Sequence, residues 1–254
     1  LGKEREGNQW FRGETQELRE GGILPQVLAT EGDRKWILQF LQSLPIILCN
    51  DRARAVHACW DDSLVAKLRL SQGPPEKCFL EWQARIDVSV VRERIQPRTL
   101  QASLRRQNWN PICVATSGLE RRTGVPFWAG GRMRNVERVP WWENYRSSPH
   151  VIFGHYWRSI DPEERAIKAD PYLFDGEPTE SPLGPLQNAF CIDYSVGRRN
   201  VERALGRAYG LHTALAALRM PERELVTNDG RNWILDPVNQ PSATTTPSRS
   251  NPAV

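Results

Sequence analysis

The sequence lacks the features that mark several common classes of protein. No two of its five cysteines form a Cys-x-x-Cys pair, so neither a zinc ribbon nor a disulfide framework is indicated. No apolar run approaches the roughly 18 residues that a membrane span needs, and residues 3–6 are charged where a signal peptide would be apolar. We therefore expect a cytoplasmic protein without membrane contact.

Motifs of three nucleotide-binding or hydrolase classes are absent as well. The chain has no Gly-x-Gly-x-x-Gly, which excludes a dinucleotide-binding Rossmann turn, and no Gly-x-x-x-x-Gly-Lys-Ser/Thr, which excludes a P-loop. It also lacks the Gly-x-Ser-x-Gly elbow of serine hydrolases. His57 and Cys59 could share one face of a strand, but no nearby residue would activate the thiol, so a cysteine nucleophile is not favoured.

The charge of the chain is distributed unevenly. The 254 residues are 39% apolar and carry a net charge of +4, which suits one large domain or two small ones. Residues 85–138 contain eleven arginines, no lysine and four acids. Arginine favours bidentate contact with phosphate or carboxylate, so this segment is interpreted as an anion-binding surface or as a solvated helix face. Nucleic acid is disfavoured as a partner, because the aromatic residues do not interleave with these arginines.

The first half of the chain predicts a helix, a hairpin and a helical insertion. Thr30 is suited to cap a helix whose apolar residues recur on one face, and Pro45 ends it. Residues 46–48 and 53–58 flank a turn and are typical of a hairpin. A mostly helical insertion is expected over residues 63–110.

The second half predicts short strands separated by loops. In chain order we expect a strand at 111–116, a loop at 124–131, a strand at 151–153, a surface loop at 161–185, a strand at 189–195, a hairpin of 214–219 with 224–227, and a last strand at 233–235. The whole is a mixed α/β domain over residues 1–236. Residues 237–254 are rich in Pro, Ser and Thr and are expected to be a disordered tail.

Two histidines stand where predicted strands end. His57 closes the second hairpin strand, and His155 follows Val151–Phe153 and Gly154, a residue without a Cβ to block a ligand. Open α/β sheets place ligands beyond the carboxyl ends of their strands, so the pair indicates a metal site at a sheet edge. The alternative is that both are structural residues with hydrogen-bonded ring nitrogens, as single histidines more often are.

Several short motifs resemble the calcineurin-like metallophosphoesterases. Val56-His57-Ala58-Cys59-Trp60-Asp61 resembles the fourth metal motif of that family, and Phe153-Gly154-His155-Tyr156-Trp157 resembles its closing Gly-His motif. The likeness is greatest to a bacterial branch near the phosphoprotein phosphatases and the symmetrical diadenosine tetraphosphatases. It extends from about residue 6 to residue 230, with further similar segments at 127–142, 190–195 and 215–223.

The resemblance implies a fold and a chemistry. The family fold is a two-sheet sandwich flanked by helices, and its hydrolysis uses two divalent ions, with Mn most expected and Fe or Zn as alternatives. His57 and His155 would both bind the second ion, and Asp61 and Asp193 would hold their other ring nitrogens. The candidates for phosphate binding are Arg158, Arg134 and Arg138. The substrate would be a phosphoprotein, a dinucleoside polyphosphate or a small phosphate ester.

The chain departs from the family in its first three motifs, which supply the other metal ligands and the acid for the leaving group. Asp-x-His, Gly-Asp-x-x-Asp-Arg-Gly and Gly-Asn-His-Glu do not occur. We therefore expect a C-terminal portion of the sandwich that lacks its N-terminal strands and is nearly inactive alone. The alternatives are a non-catalytic remnant that binds phosphate or a partner, and an unrelated interaction protein with structural histidines.

Overall fold

The computed structural model describes residues 8–14, 27–129, 132–160, 173–206, 210 and 212–235, and it is mixed α/β. The predicted tail and residues 161–172 of the predicted surface loop lie outside the described residues. The described remainder of that loop is not confined to the surface, because Phe174 and Leu183 are each only 1% exposed.

The first predicted helix and hairpin are confirmed. The predicted helix is α2 (Glu31–Ser43), and the hairpin consists of β1 (Ile47–Cys49) and β2 (Ala53–Val56). A short helix, α1 (Gln9–Arg12), precedes them in the chain. Helix α2 begins at a capping box in which the Asp33 N–H donates to Thr30 Oγ1 (3.1 Å) and the Thr30 N–H donates to the Asp33 carboxylate (2.9 Å). It ends before Pro45, as expected.

The predicted helical insertion is also confirmed. It consists of α3 (Asp62–Leu70), α4 (Pro75–Arg92) and α5 (Leu100–Trp109). Asp61 caps α3 by accepting the Leu64 N–H (2.9 Å), and Thr99 caps α5 by accepting the Ala102 N–H (3.3 Å). None of the described helices combines the length and apolarity needed to cross a bilayer.

The strand predicted at residues 111–116 is wrong, because this segment is helix α6 (Pro111–Ser117). Its β-branched residues suggested a strand, but the ends carry helix signals. Asn110 accepts the Ile112 N–H (3.0 Å), Pro111 occupies the first turn, and Gly118 follows the last residue. The helix buries Val114 and Ala115 on one face, and this burial outweighs the β-propensity.

The loop predicted at residues 124–131 is wrong as well. Strands β3 (Glu120–Ala129) and β4 (Arg132–Arg138) form an antiparallel two-stranded ribbon. A register shift between Arg122 and Phe127 accommodates the glycine and proline that suggested a loop. Residues 130–131 of the predicted loop lie outside the described part of the chain.

A four-stranded sheet carries both histidine segments. Its order is β1, β2, β5 (His150–Phe153) and β6 (Ala189–Cys191). Strands β2, β5 and β6 are parallel, whereas β1 is antiparallel to β2. The predicted strand at 151–153 is therefore confirmed, whereas the strand predicted at 189–195 is divided into β6 in this sheet and a second short strand in another.

A second sheet follows the first along the chain. Its strands are β7 (Asp193–Tyr194), β8 (Ala214–Arg219), β9 (Glu224–Thr227) and β10 (Asn232–Ile234), paired antiparallel in that order. The predicted hairpin and last strand are confirmed. The remaining described helical segments are the 3-10 turns Trp141–Asn144 and Val196–Arg198 and the short helix α7 (Arg199–Ala204).

The core lies on both faces of the first sheet. On one face, Val151 and Phe153 pack with α3, α6 and an aromatic group that includes Trp141 and Trp142. On the other face, Phe190 of β6 packs with residues of the second sheet. Because β2, β5 and β6 are packed in this core, the packing fixes where the residues that follow each strand lie relative to one another.

Candidate functional site

The candidate site lies beyond the carboxyl ends of the three parallel strands. His57 follows β2, His155 follows β5 after Gly154, and Asp193 lies two residues beyond β6. Parallel pairing aligns Val56 with Phe153 and Phe153 with Cys191, so these ends meet at one edge of the sheet. This is the edge at which open α/β sheets bind ligands.

The two histidine rings lie side by side. Their centroids are 5.3 Å apart and their planes make an angle of 60°. The Gly154 N–H donates to the His57 carbonyl (3.0 Å), which joins the two segments through the backbone. A Cβ on Gly154 would come within 3.5 Å of the Asp193 Cβ, so the third segment also lies beside the histidines. The sequence prediction that both histidines belong to one site therefore agrees with their positions, and their role as metal ligands stays a prediction.

His155 is held in an unusual environment. Its backbone is left-handed (φ 66°), a conformation in which histidine is enriched among non-glycine residues. Burial, with Arg138 and His57 as smaller contributions, lowers its pKa from 6.5 to about 4, although a hydrogen bond with the Ser117 backbone opposes this lowering. Its Nε2 is buried and has no hydrogen-bond partner in the part of the chain that the structure describes. We therefore assign the Ser117 contact to Nδ1, and the ring is neutral at pH 7 with the Nε2 lone pair available.

The two carboxylates predicted to hold the histidine rings make other contacts, and their role beside the histidines stays a prediction. Asp61 accepts the Leu64 N–H and the Ser63 hydroxyl (2.6 Å) at the start of α3. Asp193 accepts the Ser195 N–H (2.9 Å) through Oδ1 and lies beside Gly154. The Ser117 backbone accepts a hydrogen bond from the His155 ring, and a backbone acceptor of this kind has no signature in the sequence.

The three predicted phosphate-binding arginines lie in different places. Arg138 donates to the His155 carbonyl (3.3 Å), and its guanidinium lies 5.5 Å from the Tyr156 ring centroid. Arg134 is also on β4, and its Nε donates to the Ala129 carbonyl (3.1 Å). Of the three, Arg138 contacts the histidine segment.

Arg158 is part of the interior. It is 2% exposed, and its guanidinium donates to the carbonyls of Ser181 (2.8 Å) and Pro178 (2.6 Å). It also lies 5.2 Å from the Phe174 ring centroid. These contacts commit the terminal N–H groups of Arg158 to the 178–181 segment, whereas its buried Nε has no hydrogen-bond partner among the described residues. Phosphate binding by Arg158 stays a prediction.

A buried tyrosine beside His155 was not singled out from the sequence. Tyr156 is 0% exposed, and its hydroxyl has no hydrogen-bond partner among the described residues. The hydroxyl lies against Gly118, since a Cβ at that position would be 1.8 Å from it. Gly118 directly follows Ser117, so this contact holds the turn that presents the Ser117 carbonyl to His155.

Burial also raises the pKa of the Cys59 thiol, in agreement with the argument against a cysteine nucleophile.

The metal-binding capacity of the described residues is limited. Among them, no group of three or more His, Cys, Asp or Glu side chains is arranged to hold a metal ion. Two imidazoles, one with an unpartnered buried nitrogen, suit a divalent ion but fall short of the three or four protein ligands of a complete site.

Comparison of the chain with protein-family models, curated proteins and solved structures found no match in any of the three.

Proposed function

We propose that this chain contributes part of the active site of a metal-dependent phosphoester hydrolase. The observation that carries the proposal is the pair of imidazoles at the carboxyl ends of adjacent parallel strands, 5.3 Å apart. The unpartnered Nε2 of His155 supports it, because a buried polar atom without a partner is costly unless a ligand satisfies it. We also propose that the motifs that resemble the metallophosphoesterases reflect membership of that family, and that the chain forms part of its two-sheet sandwich.

Each residue has a defined role in this proposal. His57 and His155 hold one divalent ion, and the Ser117 backbone keeps the His155 ring in the tautomer that exposes Nε2. The guanidinium of Arg138 orients the phosphate. A bound ion of this kind supplies charge stabilisation and a water molecule with a lowered pKa. Because the other family motifs are absent, we expect weak metal affinity and almost no turnover by this chain alone.

A second candidate function is a non-catalytic protein that binds phosphate or a partner. The observation in its favour is that the described residues contain no group of three metal-ligating side chains. Under this alternative Arg138 would bind phosphate without a metal ion.

Metal binding by the 254-residue chain tests the proposal directly. Mn²⁺ is added and the paramagnetic broadening of the histidine ring signals is followed by NMR. We expect selective broadening of His57 and His155, and His57→Ala and His155→Ala should each weaken Mn²⁺ binding by about tenfold or more. His150→Ala is the matched control, because His150 begins β5 at the opposite end from the site.

Turnover separates the two candidate functions. A chain that also carries the three missing motifs should hydrolyse p-nitrophenyl phosphate with Mn²⁺ and lose this activity on His57→Ala. Uniform broadening of all histidines in the shorter chain, together with no Mn²⁺-dependent turnover by the longer one, would contradict the hydrolase proposal. Metal-independent phosphate binding that requires Arg138 would favour the second candidate.

A further inference from the structure

The β3–β4 ribbon is attached to the protein at the candidate site. At its base Glu120 of β3 is the cross-strand backbone partner of Arg138 of β4, and Arg138 is the arginine that donates to the His155 carbonyl. The side chain of Asn108 on α5 binds the backbone at this base. Its Nδ2 donates to the Glu120 carbonyl (2.7 Å), and its Oδ1 accepts the Glu120 N–H (2.9 Å). The ribbon therefore starts and ends beside the histidine pair.

The far part of the ribbon exposes large apolar side chains. Val125 is 77%, Trp128 65% and Met133 55% exposed. Trp128 and Met133 are cross-strand partners, so their side chains share one face of the ribbon. An exposed apolar pair of this kind on a two-stranded ribbon is a candidate interaction surface.

The charge of the ribbon points to an anionic partner. Residues 120–138 include five arginines and two glutamates. One glutamate is satisfied internally, because Arg121 pairs with Glu137 (2.6 Å). The remaining excess of positive charge lies on the same ribbon as the exposed Trp128 and Met133. The complementary partner has acidic groups together with an apolar group.

A polypeptide fits this surface better than a nucleic acid. Single-stranded nucleic acids are held by several aromatic rings on which successive bases stack. On the ribbon, Trp128 is the large exposed aromatic ring, and it is accompanied by the aliphatic Val125 and the thioether Met133. Such mixed apolar surfaces suit leucine-like or phenylalanine-like side chains of a peptide.

We propose that the β3–β4 ribbon is a docking surface for an acidic phosphorylated polypeptide whose phosphate reaches the histidine site. This inference rests on the proposed function. Met133 precedes Arg138 by five residues on β4, which corresponds to about 17 Å at the rise of an extended strand. A bound peptide that runs in extended form along the edge of β4 has the same rise and the same alternation of side chains, so its residues five apart project to opposite faces, as Met133 and Arg138 do. It therefore places an apolar side chain at Trp128 and Met133 when that side chain is about five residues from the phosphorylated residue.

Fluorescence anisotropy with labelled peptides tests the spacing. Each peptide carries a phosphoserine flanked by glutamates and one leucine at two, five or eight positions from it, on either side. We expect a leucine at five positions on one side to bind about tenfold tighter than the others, a typical contribution for a contact with tryptophan. Trp128→Ala should abolish this difference, whereas Trp36→Ala, an equally exposed tryptophan (65%) on α2, should not change it.

The unphosphorylated peptides separate this inference from the proposed function. They should retain the dependence on leucine position and on Trp128, because the docking contact does not require the phosphate. Equal binding of all spacings, an equal loss with Trp36→Ala, or tighter binding of a single-stranded oligonucleotide of the same charge would overturn the inference. If the spacing effect is absent while Mn²⁺ still broadens His57 and His155, the docking surface fails and the proposed function stands.

Discussion

The contact between Gly118 and Tyr156 yields a prediction that can be worked out in free energy. Gly118 has φ 83° and ψ 176°, a region of backbone conformation that is essentially restricted to glycine. An alanine there would place its Cβ 1.8 Å from the Tyr156 hydroxyl oxygen and 2.8 Å from the ring carbon that carries it. Because Tyr156 is 0% exposed and packed among aromatic rings, it has no free space in which to move.

Two costs add for Gly118→Ala. The backbone conformation costs about 1–3 kcal/mol for a residue with a Cβ, and overpacking of a filled interior costs about 1–3 kcal/mol more. The expected loss of unfolding free energy is therefore about 2–6 kcal/mol, a large share of the roughly 5–15 kcal/mol of a typical domain. Gly176→Ala is the matched control, since Gly176 has φ 81° but no atom within 4 Å of the added Cβ. It should lose only about 1–2 kcal/mol.

The assay is urea unfolding of both variants, with NMR of the His155 ring nitrogens as a second readout. Because Ser117 precedes Gly118, a displaced turn should withdraw the Ser117 carbonyl and change the ring tautomer of His155 in Gly118→Ala alone. Adding Tyr156→Phe should recover part of the lost stability, since it removes the nearer of the two clashing atoms. Equal destabilisation by Gly118→Ala and Gly176→Ala, with an unchanged His155 tautomer, would refute the reasoning.

Two further predictions concern His155 and Arg158. Because the pKa of His155 falls from 6.5 to about 4 on folding, the unfolded state binds more protons between these values, so the stability it contributes is complete above pH 6.5 and is lost as the pH falls towards 4. In His155→Gln the decrease in unfolding free energy between pH 7 and pH 5 should be smaller, and a steeper decrease would contradict this. Arg158→Met should lower the unfolding free energy by about 2–4 kcal/mol, because two buried carbonyls lose their donor. As a control, Arg122→Met on the exposed ribbon should change the unfolding free energy by less than about 0.5 kcal/mol. Equal effects of the two substitutions would show that the buried contacts of Arg158 are not stabilising.

The elements that the sequence predicted correctly carry their signals locally. Thr30 with Asp33, Asp61 and Thr99 are side-chain caps that act within three residues, so the ends of these helices can be read from neighbouring letters. The strand at Val151–Phe153 is a short apolar run with a glycine after it. The helix caps and this apolar run can be predicted from the sequence because their signals lie within a few residues of each other.

The errors arose where local signals conflicted. Val114 and its β-branched neighbours favoured a strand, but the Asn110 cap and the buried face of α6 decided for helix. Gly124 and Pro126 favoured a loop, but β4 provides a strand partner, and a register shift accommodates the breakers. In both cases the outcome depends on what packs against the segment, which the local sequence does not contain.

The sequence by itself determined that two histidines end apolar strands and that arginines concentrate in the middle of the chain, since these are properties of adjacent letters. The tertiary structure decided that His57 and His155 face one another, that Arg138 contacts their segment while Arg158 is buried, and that the Ser117 backbone holds the His155 ring. The meeting of the two histidines follows from parallel pairing of strands almost one hundred residues apart in the chain, between β2 and β5. Contacts between such distant segments are selected by the packing of the whole core, and a local pattern cannot specify them.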